Sequence, residues 1–151
     1  MFDALLRILT GFDDGRAGAR NDPAFALAAL LIETARSDDR VEDREHSLIE
    51  RALARRFGLS ADEATRLIAA AERGALQATD LFHFTRVVVE NFSEEERVDV
   101  IDMLWDVAYS DGALTGDEDA LIRRVAGLIY VSDRDRGEAK RRARNRLPGN
   151  R

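Results

Sequence analysis

The sequence predicts an all-α protein, and three observations support this prediction. Apolar residues recur at helical spacing along most of the chain, and no stretch alternates convincingly at period two. Three capping boxes, each a Ser or Thr followed three residues later by Glu, mark helix starts at Ser60, Ser93 and Thr115. A segment rich in acidic residues also occurs twice. We therefore expect roughly eight helices, arranged as two similar halves of one bundle.

The repeated segment covers residues 35–45 and 108–118, at an offset of 73. Seven of the 18 positions in residues 35–52 are identical to their counterparts. In the first copy these are Ala35, Ser37, Asp38, Glu45, Leu48, Ile49 and Arg51. Each copy is an acidic loop between two core helices, in halves of about 24–73 and 97–146. Because neither half can bury its apolar faces alone, we expect the halves to pack about a pseudo-twofold axis.

The first helical elements follow from local signals. Residues 2–9 place four apolar side chains on one stripe, which indicates a short helix, and a Gly- and Asp-rich link then runs to residue 21. Asp22 and Pro23 are typical of a helix start, because aspartate caps free N–H groups and proline suits the first turn. That helix is expected to reach about Ser37, with one inward-facing stripe. The stripe comprises Phe25, Ala28, Leu31, Ile32 and Ala35.

The later elements are also marked by caps. A second core helix is expected over about 42–57, with Gly58 as its C-cap. The remaining helix starts are Ser60, Thr79 or Asp80, Ser93, Thr115 and Ser132. The predicted organisation is an N-terminal helix and link over 1–21, a single helical domain over 22–147, and a tail over 148–151.

Composition restricts the function classes. The chain has 151 residues, a net charge of −6 and no cysteine, which excludes thiol chemistry and cysteine-bound metals. No apolar run approaches the length of a membrane helix and no signal peptide is visible, so a cytoplasmic location is expected. The acidic balance argues against nucleic-acid binding. The arginine-rich segment 134–151 is either a solvated helix with a frayed end or a contact for RNA or an acidic partner.

Carboxylates at equivalent positions of the two loops form the candidate site. The first set is Glu33, Asp38 and Glu45, and the second is Asp106, Asp111 and Glu118. If the bend between the helices brings each set together, three carboxylates without sulfur ligands favour Ca²⁺ or Mg²⁺. The alternative is that they are ordinary caps and turns, since Glu118 already belongs to a capping box and acidic residues favour helix N-termini.

No feature indicates an enzyme. His46 and His83 are too far apart in the chain to suggest a ligand pair, and no glycine-rich phosphate loop is present. A nucleophile with an adjacent base is also lacking. The prediction is therefore a non-enzymatic protein.

The two loops have the motifs A-x-S-D-x-x-V-x-x-x-E and A-Y-S-D-G-x-L-x-x-x-E. These motifs resemble those of the TerB-like family of tellurite-resistance proteins. The resemblance extends to the segments F-G-L-S, D-L-F-H-F-T-R and F-S-E-E-E-R-V-D-V-I-D-M-L-W-D-V-A-Y-S-D-G, and covers most of residues 23–146. Among these proteins the sequence is most similar to a stand-alone bacterial group.

The resemblance implies a duplicated all-helical domain with acidic positions for a divalent metal, and a role in stress response. Carried onto this sequence, those positions are Asp38, Glu45, Asp111 and Glu118, with Glu33 and Asp106 as supports. The first loop departs from the family pattern, because Asp39 replaces the usual glycine. The second loop is therefore the better candidate. The expected partner is a protein, and self-association is compatible with the pattern. A pure interaction or oligomerisation module without metal is the alternative.

Overall fold

The computed structural model describes residues 22–36, 43–73, 78–110 and 114–147. These residues form seven α-helices and no strand, which confirms the all-α prediction. The helices are α1 (Pro23–Ala35), α2 (Asp43–Phe57), α3 (Ala61–Arg73), α4 (Ala78–Asn91), α5 (Glu94–Ala108), α6 (Gly116–Leu128) and α7 (Asp133–Asn145). The predicted N-terminal helix at 2–9 and the tail at 148–151 lie outside the described residues.

The helices pack in the two-halved arrangement that the repeat predicts. Helices α1 and α5 contact each other at the centre, and each also contacts the two helices that follow it in its own half. In addition α1 contacts α6 while α5 contacts α2, so each core helix reaches the second helix of the other half. Helix α4 has no counterpart in the repeat and packs against α1 and α6. The halves are thus interlocked rather than placed side by side.

Helix α1 is the centre of the core. Every residue from Pro23 to Ala35 is buried except Glu33, which is partly exposed. The predicted single inward stripe was therefore too narrow, because helices from both halves and α4 surround α1. Alanine and leucine on all its faces agree with this position, since a helix that is apolar all round belongs in an interior. Thr34 is accommodated there because its hydroxyl donates to the Leu30 carbonyl at 2.9 Å.

Most of the predicted helix starts are correct, but α4 begins at Ala78, one residue before the predicted start at Thr79 or Asp80. Asp22 caps α1, and Ser132 caps α7 by accepting from the Asp135 N–H at 3.1 Å. The three predicted capping boxes are all formed, with reciprocal bonds between Ser60 and Glu63, Ser93 and Glu96, and Thr115 and Glu118. Gly58 ends α2 with φ +66°. These helix ends are therefore determined by residues a few positions apart.

The basic helix α7 packs on α5, and basic side chains in and just after α7 form ion pairs with carboxylates of α5. Arg142 donates to both oxygens of Asp102 at 3.3 Å, and one turn further Arg146 reaches Asp106 at 2.6 Å. Lys140 pairs with Asp119 of α6 at 3.0 Å. Much of the positive charge in this part of segment 134–151 is therefore paired within the molecule.

Candidate functional site

The structure describes four of the six predicted carboxylates. Glu33 lies in the last turns of α1, Glu45 in the first turn of α2, Asp106 near the end of α5 and Glu118 in the first turn of α6. Asp38 and Asp111 lie outside the described residues. Convergence of the complete sets thus stays a prediction, whereas the surroundings of the described members can be assigned.

Glu33 and Glu118 line one small cavity of about 180 Å³. Its described lining comes from the end of α1 and the start of α6. These residues are Glu33, Thr34, Arg36, Thr115, Asp117, Glu118 and Leu121. Three acidic residues from the two halves of the chain thus line this cavity, together with one arginine. We call it the acidic pocket.

Glu118 is held firmly in the acidic pocket. The residue is 8% exposed, and its Oε1 accepts the Thr115 backbone N–H at 3.0 Å. In return, the Glu118 N–H donates to the Thr115 hydroxyl at 3.1 Å. The carboxylate is thus oriented by a capping box, which fixes its position and also occupies part of its hydrogen-bonding capacity.

Asp106 faces a different cleft, although it corresponds to Glu33 at the offset of 73. Its Oδ1 accepts from Arg146 Nη2 at 2.6 Å. Burial raises the pKa of Asp106 above its usual value, and the hydrogen bond and charge of Arg146 counteract this only in part. The described residues around it include Arg44 of α2. Asp106 and Glu118 therefore line separate cavities.

The interlocked halves explain this distribution. Because α1 contacts α6 and α5 contacts α2, the end of each core helix meets the start of the second helix in the other half. Glu33 therefore shares a cavity with Asp117 and Glu118. Asp106 correspondingly shares its cleft with Arg44, the residue equivalent to Asp117. Spacing within one loop could not reveal these exchanged neighbours.

Within the described ranges, no group of three or more His, Asp or Glu side chains has a geometry that could hold a metal ion. The acidic pocket supplies up to three carboxylates, but Arg36 is among them. Asp117 and Arg36 were not predicted as site residues. Only the repeat could have indicated them, because it predicts two halves in contact and so allows the first turn of α6 to face the end of α1.

The two histidines and the single tryptophan of the sequence lie in the described helices. His46 is partly buried and its Nε2 lies 3.3 Å from a Glu72 carboxylate oxygen, while His83 packs edge-on against Phe84. The two histidines lie on different helices, α2 and α4. Trp105 is buried, and its indole N–H donates to the Arg136 carbonyl at 3.2 Å.

Comparison with known proteins supports the family resemblance. No described helix is both long and apolar enough to cross a membrane. Searches of curated proteins and of solved structures give no match. The family model described as tellurite resistance protein TerB matches residues 24–141, which is well over half of the chain. The matched region contains both repeats and all six candidate carboxylates, and the chain therefore belongs to the TerB family.

Proposed function

We propose that this chain is a non-enzymatic TerB domain that binds a divalent cation, Ca²⁺ or Mg²⁺, through its acidic loops. In this proposal it acts in the cytoplasm, in a stress response of the tellurite-resistance kind, by contacting protein partners. The ligands are drawn from Glu33, Asp111 and Glu118, with Asp117 as a neighbour. Asp38 and Glu45 are the equivalent ligands of the first loop, and Asp106 is the support that corresponds to Glu33.

The observation that supports this proposal is the position of Glu33. It is the only residue of α1 that is not buried, and its neighbours in the acidic pocket include Asp117 and Glu118. Carboxylates from both halves of the chain line this cavity together with the Arg36 guanidinium, and carboxylate oxygens suit a hard cation.

Isothermal titration with Ca²⁺, Mg²⁺ and Mn²⁺ tests the proposal. We expect saturable heats for the wild-type protein, and at least a tenfold loss of affinity in Asp111→Asn/Glu118→Gln and in Glu33→Gln, since each change removes a charged ligand. Glutamine is chosen at Glu118 because it can still accept the Thr115 N–H, so the capping box is kept. Equal heats in the wild type and the double variant would sink the proposal.

A matched control is available in another capping box. Glu63 makes the same reciprocal bonds with Ser60 at the start of α3, outside the acidic pocket. Glu63→Gln should therefore reproduce any effect on helix capping without changing the titration. A loss of cation binding in this control would show that Glu118→Gln acts through folding.

A specific observation favours the alternative, a protein-interaction or oligomerisation module without metal. Glu118 is engaged in a cap and Asp106 in an ion pair, so two of the six carboxylates have roles in folding. Under this alternative, the wild-type protein gives no heat with any of the three cations. Its melting temperature is then the same with and without cation, whereas binding to the native state alone would raise it.

A further inference from the structure

The cleft around Asp106 differs in charge from the acidic pocket, although the repeat places the two at equivalent positions. It has a volume of about 510 Å³ and lies between α2 on one side and the ends of α5 and α7 on the other. Its described lining comprises Arg44, Leu48, Arg51, Asp106, Tyr109, Ser110, Ala143, Arg146 and Leu147. A second hollow of about 330 Å³ shares Leu48 and Arg51 with it and extends to Arg55. We call the two together the arginine cleft.

The wall formed by α2 presents a regular stripe. Arg44, Leu48, Arg51 and Arg55 follow the spacing i, i+4, i+7 and i+11, which places them on one helix face. Arg44 Nη1 donates to the Ser110 carbonyl at 3.4 Å, so this stripe faces the end of α5. Guanidinium groups therefore line the length of the cleft.

The charges in the cleft do not balance. Its described lining has four guanidiniums, those of Arg44, Arg51, Arg55 and Arg146, against the single carboxylate of Asp106. That carboxylate is paired with Arg146, which leaves three positive charges. Arg51 Nε makes a 3.4 Å bond to the Ser47 carbonyl, and no hydrogen bond joins its terminal nitrogens to any residue in the described ranges. An excess of this kind is notable on a chain of net charge −6.

The arginines surround an apolar surface. Leu48, Tyr109, Ala143 and Leu147 contribute it, and the ring of Tyr109 is buried against Trp105 with centroids 6.2 Å apart. Clefts of this size, apolar with a few charged groups at the edge, are typical of small-molecule sites. Guanidinium groups match the planar, bidentate geometry of phosphate and carboxylate oxygens.

The repeat shows that the charge is particular to this copy. At the offset of 73, Arg44 corresponds to Asp117, Leu48 to Leu121 and Asp106 to Glu33. Leucine occupies the apolar position in both copies, while the residue at the helix start is positively charged in one copy and negatively charged in the other. Arg51 corresponds to Arg124, which lies instead over the ring of Phe82 at 5.4 Å. The described linings of the two equivalent cavities thus have net charges of opposite sign.

We propose that the arginine cleft binds a small amphipathic anion, a phosphate monoester on an apolar group. The phosphate lies between Arg44 and Arg51, and the apolar group lies on Leu48 and Leu147. This site is separate from the acidic pocket, so the inference does not depend on metal binding.

Phenyl phosphate, titrated while methyl ¹H–¹³C NMR signals are recorded, tests this site. We expect saturable shifts at Leu48, Ala143 and Leu147, and affinity at least tenfold weaker in Arg44→Gln/Arg51→Gln, since each charge-assisted contact is lost. Asp106→Asn should bind more tightly, because it removes the only carboxylate of the described lining. Arg124→Gln is the matched control and should bind like the wild type.

Two further probes separate the contributions of the apolar and the ionic contacts to the affinity. Phenol and inorganic phosphate should each bind at least tenfold more weakly than phenyl phosphate, since each makes only half of the contacts. The proposal is overturned if the cleft methyl signals do not shift, if phenol binds as well as phenyl phosphate, or if the double variant binds like the wild type. It is also overturned if benzoate binds more tightly than phenyl phosphate. Thermal melting of each variant checks the fold, and the single Arg51→Gln variant serves if the double variant is unfolded.

Discussion

At the scale of single residues, the carboxylates of Glu96 and Asp106 make contributions to folding stability that depend on pH in opposite directions. Glu96 accepts the Ser93 backbone N–H, and this bond is the main reason that its pKa is lowered. The stability it contributes is present above its unfolded-state pKa and is lost as the pH falls. Asp106 has a pKa raised chiefly by burial. Its contribution to stability is instead gained as the pH falls through its raised pKa towards 3.8.

Replacing the partner of Asp106 tests this explanation of its pKa. Arg146→Gln removes the hydrogen bond and the charge that oppose the effect of burial, so the pKa of Asp106 should rise further. Carboxyl ¹³C NMR titration of Asp106 measures it directly. Arg134→Gln, which breaks only the exposed pair with Glu138 on the same helix, should leave that pKa unchanged. An unchanged pKa in Arg146→Gln would mean that the 2.6 Å pair is open in solution.

At the scale of helices, the two halves end their second helix with the same motif but different residues. After α2, Leu59 N–H donates to the Ala54 carbonyl at 3.0 Å and Gly58 has φ +66°. After α6, the Val131 N–H donates to the Ala126 carbonyl at 2.9 Å, and the left-handed residue is Tyr130 with φ +61°. This is the Schellman arrangement, in which glycine is favoured because it has no Cβ to clash with the backbone.

Tyr130→Gly should therefore stabilise the protein by up to about 1 kcal/mol, since the strain at Tyr130 exceeds the extra unfolded-state entropy of glycine. Little contact is lost, because Tyr130 is 76% exposed. Gly58→Ala should destabilise by about 1 kcal/mol, although no atom lies within 4 Å of the added Cβ.

Chemical denaturation of both variants measures these changes. Gly137→Ala is the control, because Gly137 lies inside α7 with equally open space and has no positive φ. It should stabilise by about 0.5–1 kcal/mol through helix propensity. A destabilised Tyr130→Gly variant would show that the Tyr130 side chain contributes more than its backbone strain costs.

These elements also show what the sequence could predict. The capping boxes at Ser60, Ser93 and Thr115 depend on residues three positions apart, and all were predicted correctly. Left-handed Tyr130 was missed because local rules expect glycine there. The shared cavity of Glu33 and Glu118 was missed for a different reason, since it depends on which helices cross between the halves. The spacing of apolar residues predicts which face of a helix is buried, but it does not predict which other helix packs against that face.

At the scale of the whole molecule, the interlocked halves make each dependent on the other. Helix α1 is buried by α4, α5 and α6 as well as by its own neighbours α2 and α3. In a fragment of residues 22–73, α1 would keep only two of these five partners. Residues such as Leu27, Leu30 and Leu31, each at most 1% exposed in the intact chain, would then lose part of their cover. Each fully buried leucine contributes about 1.5–3 kcal/mol, so exposing several of them even in part would remove a large fraction of the roughly 5–15 kcal/mol by which a typical domain is stable.

Cutting the chain between residues 73 and 78 leaves all seven described helices intact and tests this dependence. We expect fragments 22–73 and 78–147 to show low helicity alone by circular dichroism, without cooperative melting, because isolated helices of 13–15 residues are marginal in water. Mixing the fragments at equal concentration should restore helicity and a melting transition that depends on concentration. Leu30→Ala in the first fragment, which removes a buried contact on α1, should weaken this association by at least tenfold. A fragment 22–73 that melts cooperatively alone would contradict the argument, because its own three helices would then suffice to bury α1.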